Sequence, residues 1–330
     1  MKEVPKEQLI ENKTYFFFSH TIKAQPYNKT LLQTVLRKNI RLIDYECLVN
    51  DNGARVIAFG RWAGIVGAHN GLYTWSKRTN SFDIKRAKDC KDFEALKALY
   101  KNVKIPPIKI AITGNGRVAN GAVELLLAAG IKQVEPNDLI GKEYDYPVFA
   151  QLSCEYLYAR KTDDGYESSE FYTQPQLYKS IFDKYLNHVD LFINAVYWDP
   201  KAPAFFNADD MEDEDFRIKV IADITCDIAP EASVPSTLKP STIAEPIYGY
   251  HPKERAETTP FTSESIDVMA IDNLPNELPR DASESFGEQF LEYVLPELLK
   301  EKSEFLERAT IAKNGDLTER YEYLRDYVTD

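Results

Sequence analysis

Residues 108–130 constrain the fold of this chain more than any other segment. Residues 108–112 are apolar and mostly β-branched, which predicts a buried strand of a parallel sheet. A glycine turn, residues 114–116, comes next, and the apolar spacing over residues 118–127 predicts a helix that ends at Gly130. The segment therefore predicts an α/β fold of the doubly wound type.

A strand, a glycine turn and a helix in this order are typical of dinucleotide-binding folds. The first amides of the helix have no partners within the helix, and the helix dipole favours an anion there. Gly114 permits a sharp turn, Gly116 lets the backbone approach a diphosphate, and Ala119 suits close helix–strand packing. Glu135 lies 21 residues after Gly114, at the end of a predicted strand at 133–135, where an acid can hold a ribose hydroxyl. The alternative is a plain strand–helix turn, but the acid and the amphipathic helix favour dinucleotide binding.

Composition excludes several other classes of function. The net charge of −12 argues against nucleic acid as a main partner, because phosphate binding needs a basic surface. No apolar run is long enough to cross a bilayer, and the first residues lack the apolar core of a signal peptide, so we expect a cytoplasmic protein. The four cysteines and four histidines show no metal-ligand spacing, so no metal site is predicted.

Periodicity predicts three parts: residues 1–105, residues 106–280 with the dinucleotide fold, and residues 281–330, which return to the first part as helices. The predicted strands are residues 15–18, 40–46, 55–59, 108–112, 133–135, 190–195, 219–223 and 268–271. The predicted helices are residues 27–38, 60–75, 92–99, 117–129, 177–186 and 283–299. Residues 60–75 carry four glycines, which indicates a helix packed closely on its neighbour. Residues 229–263 are expected to form a long ordered loop or an extra hairpin.

Eight segments together resemble one family, the lysine-forming saccharopine dehydrogenases. They are FFFSHTIKAQ (16–25), IRLIDYE (40–46), RVIAFGRWAGIVG (55–67), TGNGRVANGA (113–122), VEPNDL (134–139), INAVYWD (193–199), IADITCD (221–227) and IDNLPNELPRDASESFG (271–287). Within this family the likeness is greatest to the lysine–2-oxoglutarate reductase domain of bifunctional lysine-degrading enzymes. Alanine dehydrogenases are wider relatives that share the fold.

The resemblance implies two lobes with a cofactor cleft between them: a Rossmann-type domain and a second α/β substrate domain. We expect that substrate domain to be N-terminally incomplete relative to the family, since the resemblance implies a further stretch before the motif that opens this sequence. The implied reaction condenses the lysine side-chain amine with 2-oxoglutarate and reduces the imine to saccharopine, or runs in reverse. The implied cofactor is NAD or NADP, the partners are small molecules, and a homo-oligomer is possible.

Site residues follow from the resemblance, position by position. The implied catalytic residues are Lys2 and His20, and the implied substrate-binding residues are Glu3, Lys23, Gln25, Glu46 and Arg55. The implied cofactor-binding residues are Gly114, Gly116, Arg117, Val118, Glu135, Tyr197, Asp227, Ile271, Asp272, Asn273 and Leu274. From the residues alone, His20 at the end of an apolar strand suits an acid–base role, whereas its alternative is a hydrogen-bonded histidine at a strand end.

Two questions stay open at the level of sequence. Glu135 favours NAD because a carboxylate accepts from a ribose 2′-hydroxyl and repels a 2′-phosphate, yet the reductase-type relatives look NADPH-linked with a similar Val-Glu-Pro segment. The function also has alternatives: an amino acid dehydrogenase that resembles alanine dehydrogenase, or a cofactor-binding protein without turnover.

Overall fold

The computed structural model describes residues 5–329. Its strands, in chain order, are β1 (Thr14–Phe17), β2 (Arg41–Asp44), β3 (Lys109–Thr113), β4 (Lys132–Gln133), β5 (Val148–Leu152), β6 (Tyr158–Arg160), β7 (Tyr178–Ser180), β8 (Leu191–Asn194), β9 (Val220–Asp223), β10 (Tyr248–His251), β11 (Ala256–Thr258), β12 (Ile266–Met269), β13 (Thr310–Lys313) and β14 (Asp316–Leu317). Its α-helices are α1 (Lys29–Arg37), α2 (Gly60–Thr79), α3 (Phe93–Leu99), α4 (Arg117–Ala128), α5 (Pro136–Gly141), α6 (Cys154–Leu157), α7 (Ser168–Thr173), α8 (Pro279–Gln289), α9 (Leu295–Leu298), α10 (Glu304–Ala309) and α11 (Arg325–Thr329). A π-helical turn, Phe290–Val294, joins α8 to α9.

The chain divides into two compact units. Unit 1 comprises the described residues of Met1–Ala58 and Ser283–Asp330, and unit 2 comprises Phe59–Ala282. The expected boundary near residue 105 therefore differs from the observed division at residues 58 and 59. The reason is that α2 packs on α4 and against β9, which places residues 59–105 with the dinucleotide fold.

Unit 2 is built on a sheet whose order is β11-β10-β12-β9-β8-β3-β5-β4 within the described residues. The strands from β12 to β4 run parallel to one another, and β10 and β11 extend the sheet as an antiparallel hairpin. The predicted α/β class with a parallel, Rossmann-like sheet is confirmed. The hairpin also confirms one of the two structures expected for residues 229–263.

The strand order departs from the usual dinucleotide fold at one place. In the usual order, the strand that follows the glycine helix pairs directly with the strand before it. Here β4 follows α4, but β5 pairs with β3 and lies between β3 and β4. The strand that carries Glu135 toward the site is therefore an edge strand, two positions away from β3.

Glycines allow α2 and α4 to cross at unusually short distance. A Cβ added to Gly64 would lie 1.9 Å from the Val118 carbonyl oxygen, and one added to Gly121 would lie 2.1 Å from the Arg61 carbonyl oxygen. A side chain at either position would meet backbone, so only glycine permits this approach. The predicted glycine-bearing helix, packed closely on its neighbour, is confirmed and extends to Thr79.

Residues 153–186 cover the opposite face of the sheet from α2 and α4, and their predicted helix at 177–186 is wrong. The structure has strand β7 and a short 3-10 helix, Asp183–Tyr185, in its place. Tyr178, Phe182 and Tyr185 are all fully buried against this face. Their spacing of four and three residues is the spacing at which a helix buries one side, so the pattern imitated a helix.

Unit 1 contains a smaller sheet of order β1-β2-β13-β14. β1 and β2 are parallel, whereas β13 runs antiparallel to β2, so the two chain segments of this unit meet in its sheet. The predicted strand at 55–59 is wrong: Arg55 forms an isolated bridge with Val49, and α2 begins at Gly60.

In residues 5–329, no helix combines the length and apolar character needed to cross a bilayer.

Candidate cofactor-binding and catalytic sites

The glycine turn after β3 leaves the N-terminus of α4 open. Gly114 has a φ of +93°, in the left-handed region, and a Cβ there would lie 3.2 Å from the Ala195 carbonyl oxygen. Gly116 is the N-cap of α4 and makes no side-chain capping bond, and a Cβ there would meet no atom within 4 Å. The N-terminus of a twelve-residue helix without a side-chain cap, beside a glycine whose Cβ position is open, fits a diphosphate group.

An open pocket of about 630 Å³ lies beside this turn. Its lining residues come from the turn, from the ends of β4 and β5 and from the helices that follow them: Asn115, Gln133, Val134, Glu135, Pro136, Asp138, Gln151, Ser153 and Tyr156. The structure thus brings Glu135 to the same pocket as the glycine turn. Glu135 is exposed and precedes α5 as its N-cap residue, without a side-chain capping bond.

Tyr197 lines a separate, more aromatic pocket of about 110 Å³. Its side chain is 96% exposed, and the walls include Val196 and Trp198 from the loop after β8 and Cys154 and Tyr172 from the segment after β5. Because the two loops follow strands on either side of β3, this pocket and the glycine turn lie at the same edge of the sheet.

Arg117 and Val118 continue the turn into the first residues of α4. Arg117 is exposed, and Val118 is half-buried and packs against the core that α2 shares with α4. Val118 therefore anchors the start of α4 to the core, while Arg117 lies at the helix end where an anion would be bound.

The loop after β12 divides into core and exposed residues. Ile271 and Leu274 are buried among the core side chains of unit 2, so they support this loop from inside. Asp272 is exposed, and the side-chain carbonyl oxygen of Asn273 is buried without a hydrogen-bond partner. Such an orphaned acceptor is the kind of group that a ligand amide could satisfy.

A buried polar network, which the sequence reading missed, joins the ends of β3, β8 and β9. The Thr113 hydroxyl donates to Asn194 Oδ1 at 3.0 Å, and Asn194 Nδ2 donates to Asp223 Oδ1 at 2.8 Å. The Thr237 hydroxyl donates to Asp223 Oδ2 at 2.6 Å, and burial raises the pKa of Asp223 to about 6. Asp227, which was predicted to bind cofactor, is half-buried, and its charge contributes to this shift. Polar residues at the ends of parallel strands were the available signal.

Unit 1 brings together three of the predicted catalytic and substrate-binding residues. His20 Nδ1 lies 3.1 Å from Glu46 Oε2, and Arg55 lies 3.0 Å from Glu46 Oε1. The Glu46 side chain is 5% exposed, and contact with His20, followed by the charge of Arg55, lowers its pKa against the opposing effect of burial. Lys23 is near enough for its charge to lower that pKa further. A carboxylate paired with one ring nitrogen fixes the orientation of an imidazole, the side chain most often used for proton transfer.

Ser19 and Asp44 hold this cluster in place. Both residues are buried, the Ser19 hydroxyl and amide donate to Asp44 Oδ2, and the Glu46 amide donates to Asp44 Oδ1 at 2.8 Å. Burial raises the pKa of Asp44. Asp44 thereby fixes the backbone on both sides of the His20–Glu46 pair, a supporting role that sequence reasoning did not find.

Three predicted residues of this group are left: Lys2, Glu3 and Gln25. Lys2 and Glu3 lie outside the described residues. Gln25 accepts hydrogen bonds from the hydroxyls of Tyr27, at its side chain, and Tyr327, at its backbone carbonyl. Among residues 5–329, no group of three or more His, Cys, Asp or Glu side chains has an arrangement suited to a metal ion.

Comparisons with known proteins cover nearly the whole chain. No family model matches. The mitochondrial alpha-aminoadipic semialdehyde synthase of Mus musculus is 31% identical over 376 residues, which is 98% of this chain and 40% of that protein. The NAD(+), L-lysine-forming saccharopine dehydrogenase of Yarrowia lipolytica is 29% identical over 310 residues, which is 89% of this chain and 72% of that protein. The chain thus spans about 40% of the length of the semialdehyde synthases that it matches.

Solved structures extend the comparison to the fold. An L-alanine dehydrogenase superposes with a TM-score of 0.63 at 16% identity, covering 99% of this chain and 80% of that one. The resemblance drawn from eight sequence segments is therefore confirmed. The chain is similar in sequence to the lysine-forming saccharopine dehydrogenases and to the alpha-aminoadipic semialdehyde synthases, and it has the α/β fold of L-alanine dehydrogenase.

Proposed function

We propose that this chain is an NAD(P)-dependent oxidoreductase of the saccharopine dehydrogenase type. It joins the side-chain amine of L-lysine to the ketone of 2-oxoglutarate and reduces the product to saccharopine, or runs in the opposite direction. The observation that carries the proposal is the pairing of His20 with the buried, ionised Glu46 in a chain that also has an open glycine turn at the N-terminus of α4. The relatives' names support the choice of substrates.

The dinucleotide is assigned to unit 2. The amides after Gly116 would hold its diphosphate, the pocket beside Asn115 its ribose, and Asn273 would offer an acceptor toward its amide end. When bound in its reduced form, this cofactor supplies the hydride that an imine carbon accepts. Polar groups at this edge of the sheet, including Asp223 and Asn194, keep the loops after β8 and β9 in fixed positions.

The proton transfers are assigned to unit 1. Imine formation expels water, so an acid must protonate the hydroxyl that leaves, and a base must take a proton from the attacking amine. His20 performs both tasks in turn, because Glu46 Oε2 lies 3.1 Å from its Nδ1 and holds the imidazole in place. The Arg55 side chain is 48% exposed beside Glu46, and a guanidinium is the group that pairs best with a substrate carboxylate. Lys2 would act as the second proton-transfer group.

The test uses the purified chain with NADH or NADPH, lysine and 2-oxoglutarate. We expect oxidation of the reduced cofactor and a product with the mass of saccharopine. His20→Asn should lower kcat by about a hundredfold or more, the usual contribution of a general acid–base group, and leave cofactor affinity unchanged. His188→Asn, in unit 2 and remote from the assigned groups, is the matched control and should stay within about twofold of the unmodified protein.

Other outcomes identify the alternatives. Cofactor oxidation with ammonium and a 2-oxo acid, but not with lysine, would indicate an activity like that of alanine dehydrogenase. Tight binding of NADH without turnover on any amine would indicate a cofactor-binding protein, and either result rejects the proposed reaction.

A further inference from the structure

We propose that the 2′ position of the adenosine ribose is recognised by Ser153, at the end of β5, and not by Glu135, which sequence spacing selects. The inference rests on the proposed function in one respect, that unit 2 binds a nicotinamide dinucleotide. It goes beyond that function because it names the residue that hydrogen-bonds the ribose 2′-hydroxyl.

The first argument is the order of strands. In a dinucleotide fold the diphosphate is bound at the glycine turn, and the adenosine ribose is bound at the end of the strand beside the one that precedes this turn. In this chain that neighbour is β5, whose register with β3 extends from Lys109↔Val148 to Thr113↔Leu152. β4, which precedes Glu135, pairs only with β5. It is therefore separated from β3 by two strand spacings, about 10 Å.

The second argument is the height of each residue along the sheet. The Gly114 amide donates to the Leu152 carbonyl at 2.7 Å, so Ser153 is the first residue past β5 at the level of the glycine turn. Glu135 follows a strand whose last pair is Gln133↔Phe149, which places it near the level of Gln151, two residues lower. Gln151 itself is already bonded to the turn, since its Nε2 donates to the Gly114 carbonyl at 3.1 Å.

The third argument is the freedom of the Ser153 side chain. Ser153 is the N-cap of α6, yet its hydroxyl makes no capping hydrogen bond, and the residue is half-buried in the wall of the 630 Å³ pocket that Asn115 also lines. A hydroxyl in that place can both donate to and accept from a ribose 2′-hydroxyl. Glu135 is exposed and lines the same pocket.

The fourth argument is charge. The lining of this pocket contains two carboxylates, Glu135 and Asp138, and no lysine or arginine. Lys142 lies nearby, but its ammonium group is paired with Asp138 at 2.9 Å. A 2′-phosphate would therefore enter a field of the same sign, so the pocket favours NADH over NADPH by about tenfold or more.

The experiment measures binding, by the fluorescence of the reduced nicotinamide, with no substrate present. We compare the unmodified protein, Ser153→Ala, Glu135→Gln and Ser153→Arg with NADH, 2′-deoxy-NADH and NADPH. Ser153→Ala should weaken NADH binding by about three- to tenfold, the effect of one lost hydrogen bond, and should leave 2′-deoxy-NADH binding unchanged. Ser153→Arg should raise the affinity for NADPH relative to NADH by about tenfold or more.

Glu135→Gln is the matched variant, because it removes the predicted ribose acid without changing its size. It should leave NADH affinity within about twofold and strengthen NADPH binding, because it removes one of the two carboxylates in the pocket lining. The inference is overturned if Glu135→Gln weakens NADH binding as much as Ser153→Ala does, or if Ser153→Arg leaves NADPH affinity unchanged. Thermal melting of each variant establishes that it is folded.

Failure of this inference and failure of the proposed function are separate results. An unmodified chain that binds neither NADH nor NADPH rejects the proposed cofactor. An unmodified chain that binds NADH, with a response to Glu135→Gln alone, rejects only the assignment to Ser153.

Discussion

The close crossing of α2 and α4 makes Gly64→Ala a strong perturbation of unit 2. The added Cβ would lie 1.9 Å from the Val118 carbonyl oxygen and 2.8 Å from the Ala122 amide nitrogen. These two atoms are the acceptor and donor of one hydrogen bond inside α4, because they are four residues apart in a helix. The clash is therefore with backbone, which cannot rotate away as a side chain can.

The distances give the size of the effect. An ordinary contact needs about 3.4 Å, so α2 and α4 must separate by about 1.5 Å. Overpacking of this kind costs about 1–3 kcal/mol, and more where backbone must move, whereas alanine regains up to about 1 kcal/mol of helix propensity. We expect a net loss of about 2 kcal/mol, which corresponds to a melting temperature lower by about 4–8 °C for a unit of this size.

The same displacement should affect the nucleotide site. Gly116 caps α4, so a shift of this helix moves the amides that would hold the diphosphate, and NADH affinity should fall together with stability. Calorimetry and fluorescence titration measure the two effects. Gly287→Ala, in α8, is the control: its Cβ would meet no atom within 4 Å, so it should be neutral or stabilising by up to about 1 kcal/mol.

A second substitution separates this explanation from a general effect of alanine. Gly121→Ala meets the Arg61 carbonyl from the opposite helix, and one separation of α2 from α4 relieves both clashes. The double variant should thus be destabilised by clearly less than the sum of the two single changes. Full additivity, or a Gly64→Ala protein as stable as the unmodified one, would refute the close crossing.

Three further predictions concern charged groups. Glu46→Gln removes the carboxylate that pairs with His20, so kcat should fall while NADH affinity is retained. Because the pKa of Glu46 is lowered in the folded state, this carboxylate stabilises the fold above pH 4.5, and the stabilisation is lost on acidification. Thermal melting of the variant at decreasing pH should lack this loss of stability. Asp223→Asn should abolish a pH dependence of the opposite sign: with its pKa raised from 3.8 to about 6, the unmodified protein loses stability as the pH rises through this interval, and thermal melting at each pH measures it. Glu277→Gln leaves the buried guanidinium of Arg86 without its anion and should cost about 3–5 kcal/mol in denaturant unfolding.

Local features of the sequence predicted the centre of unit 2 well. The strand before the glycine turn was expected at 108–112 and lies at Lys109–Thr113, and the helix after it ends just before Gly130. The signals here are local, because a positive φ at Gly114 and an apolar face on α4 are encoded in adjacent residues. The pairing of His20 with Glu46 also brings together two residues that the family resemblance had assigned to the site.

Non-local choices were not predictable in the same way. Glu135 follows Gly114 by 21 residues whether β5 lies outside β4 or between β4 and β3, so this spacing carries no information about strand order. Only the sheet order reveals that Ser153, and not Glu135, follows the strand next to the glycine turn. Likewise, the pairing of β13 with β2 joins distant parts of the chain, and no short pattern near residue 310 announced a strand.

The pairing of β2 with β13 has a consequence for how the chain folds during its synthesis on the ribosome. β2 is synthesised early, but its antiparallel neighbour emerges only after the whole of Phe59–Ala282 has been made. During that interval one side of β2 has exposed amides and carbonyls, a state that invites pairing with other chains. We therefore expect unit 2 to fold first. A chain truncated after residue 282 should aggregate through the unpaired side of β2.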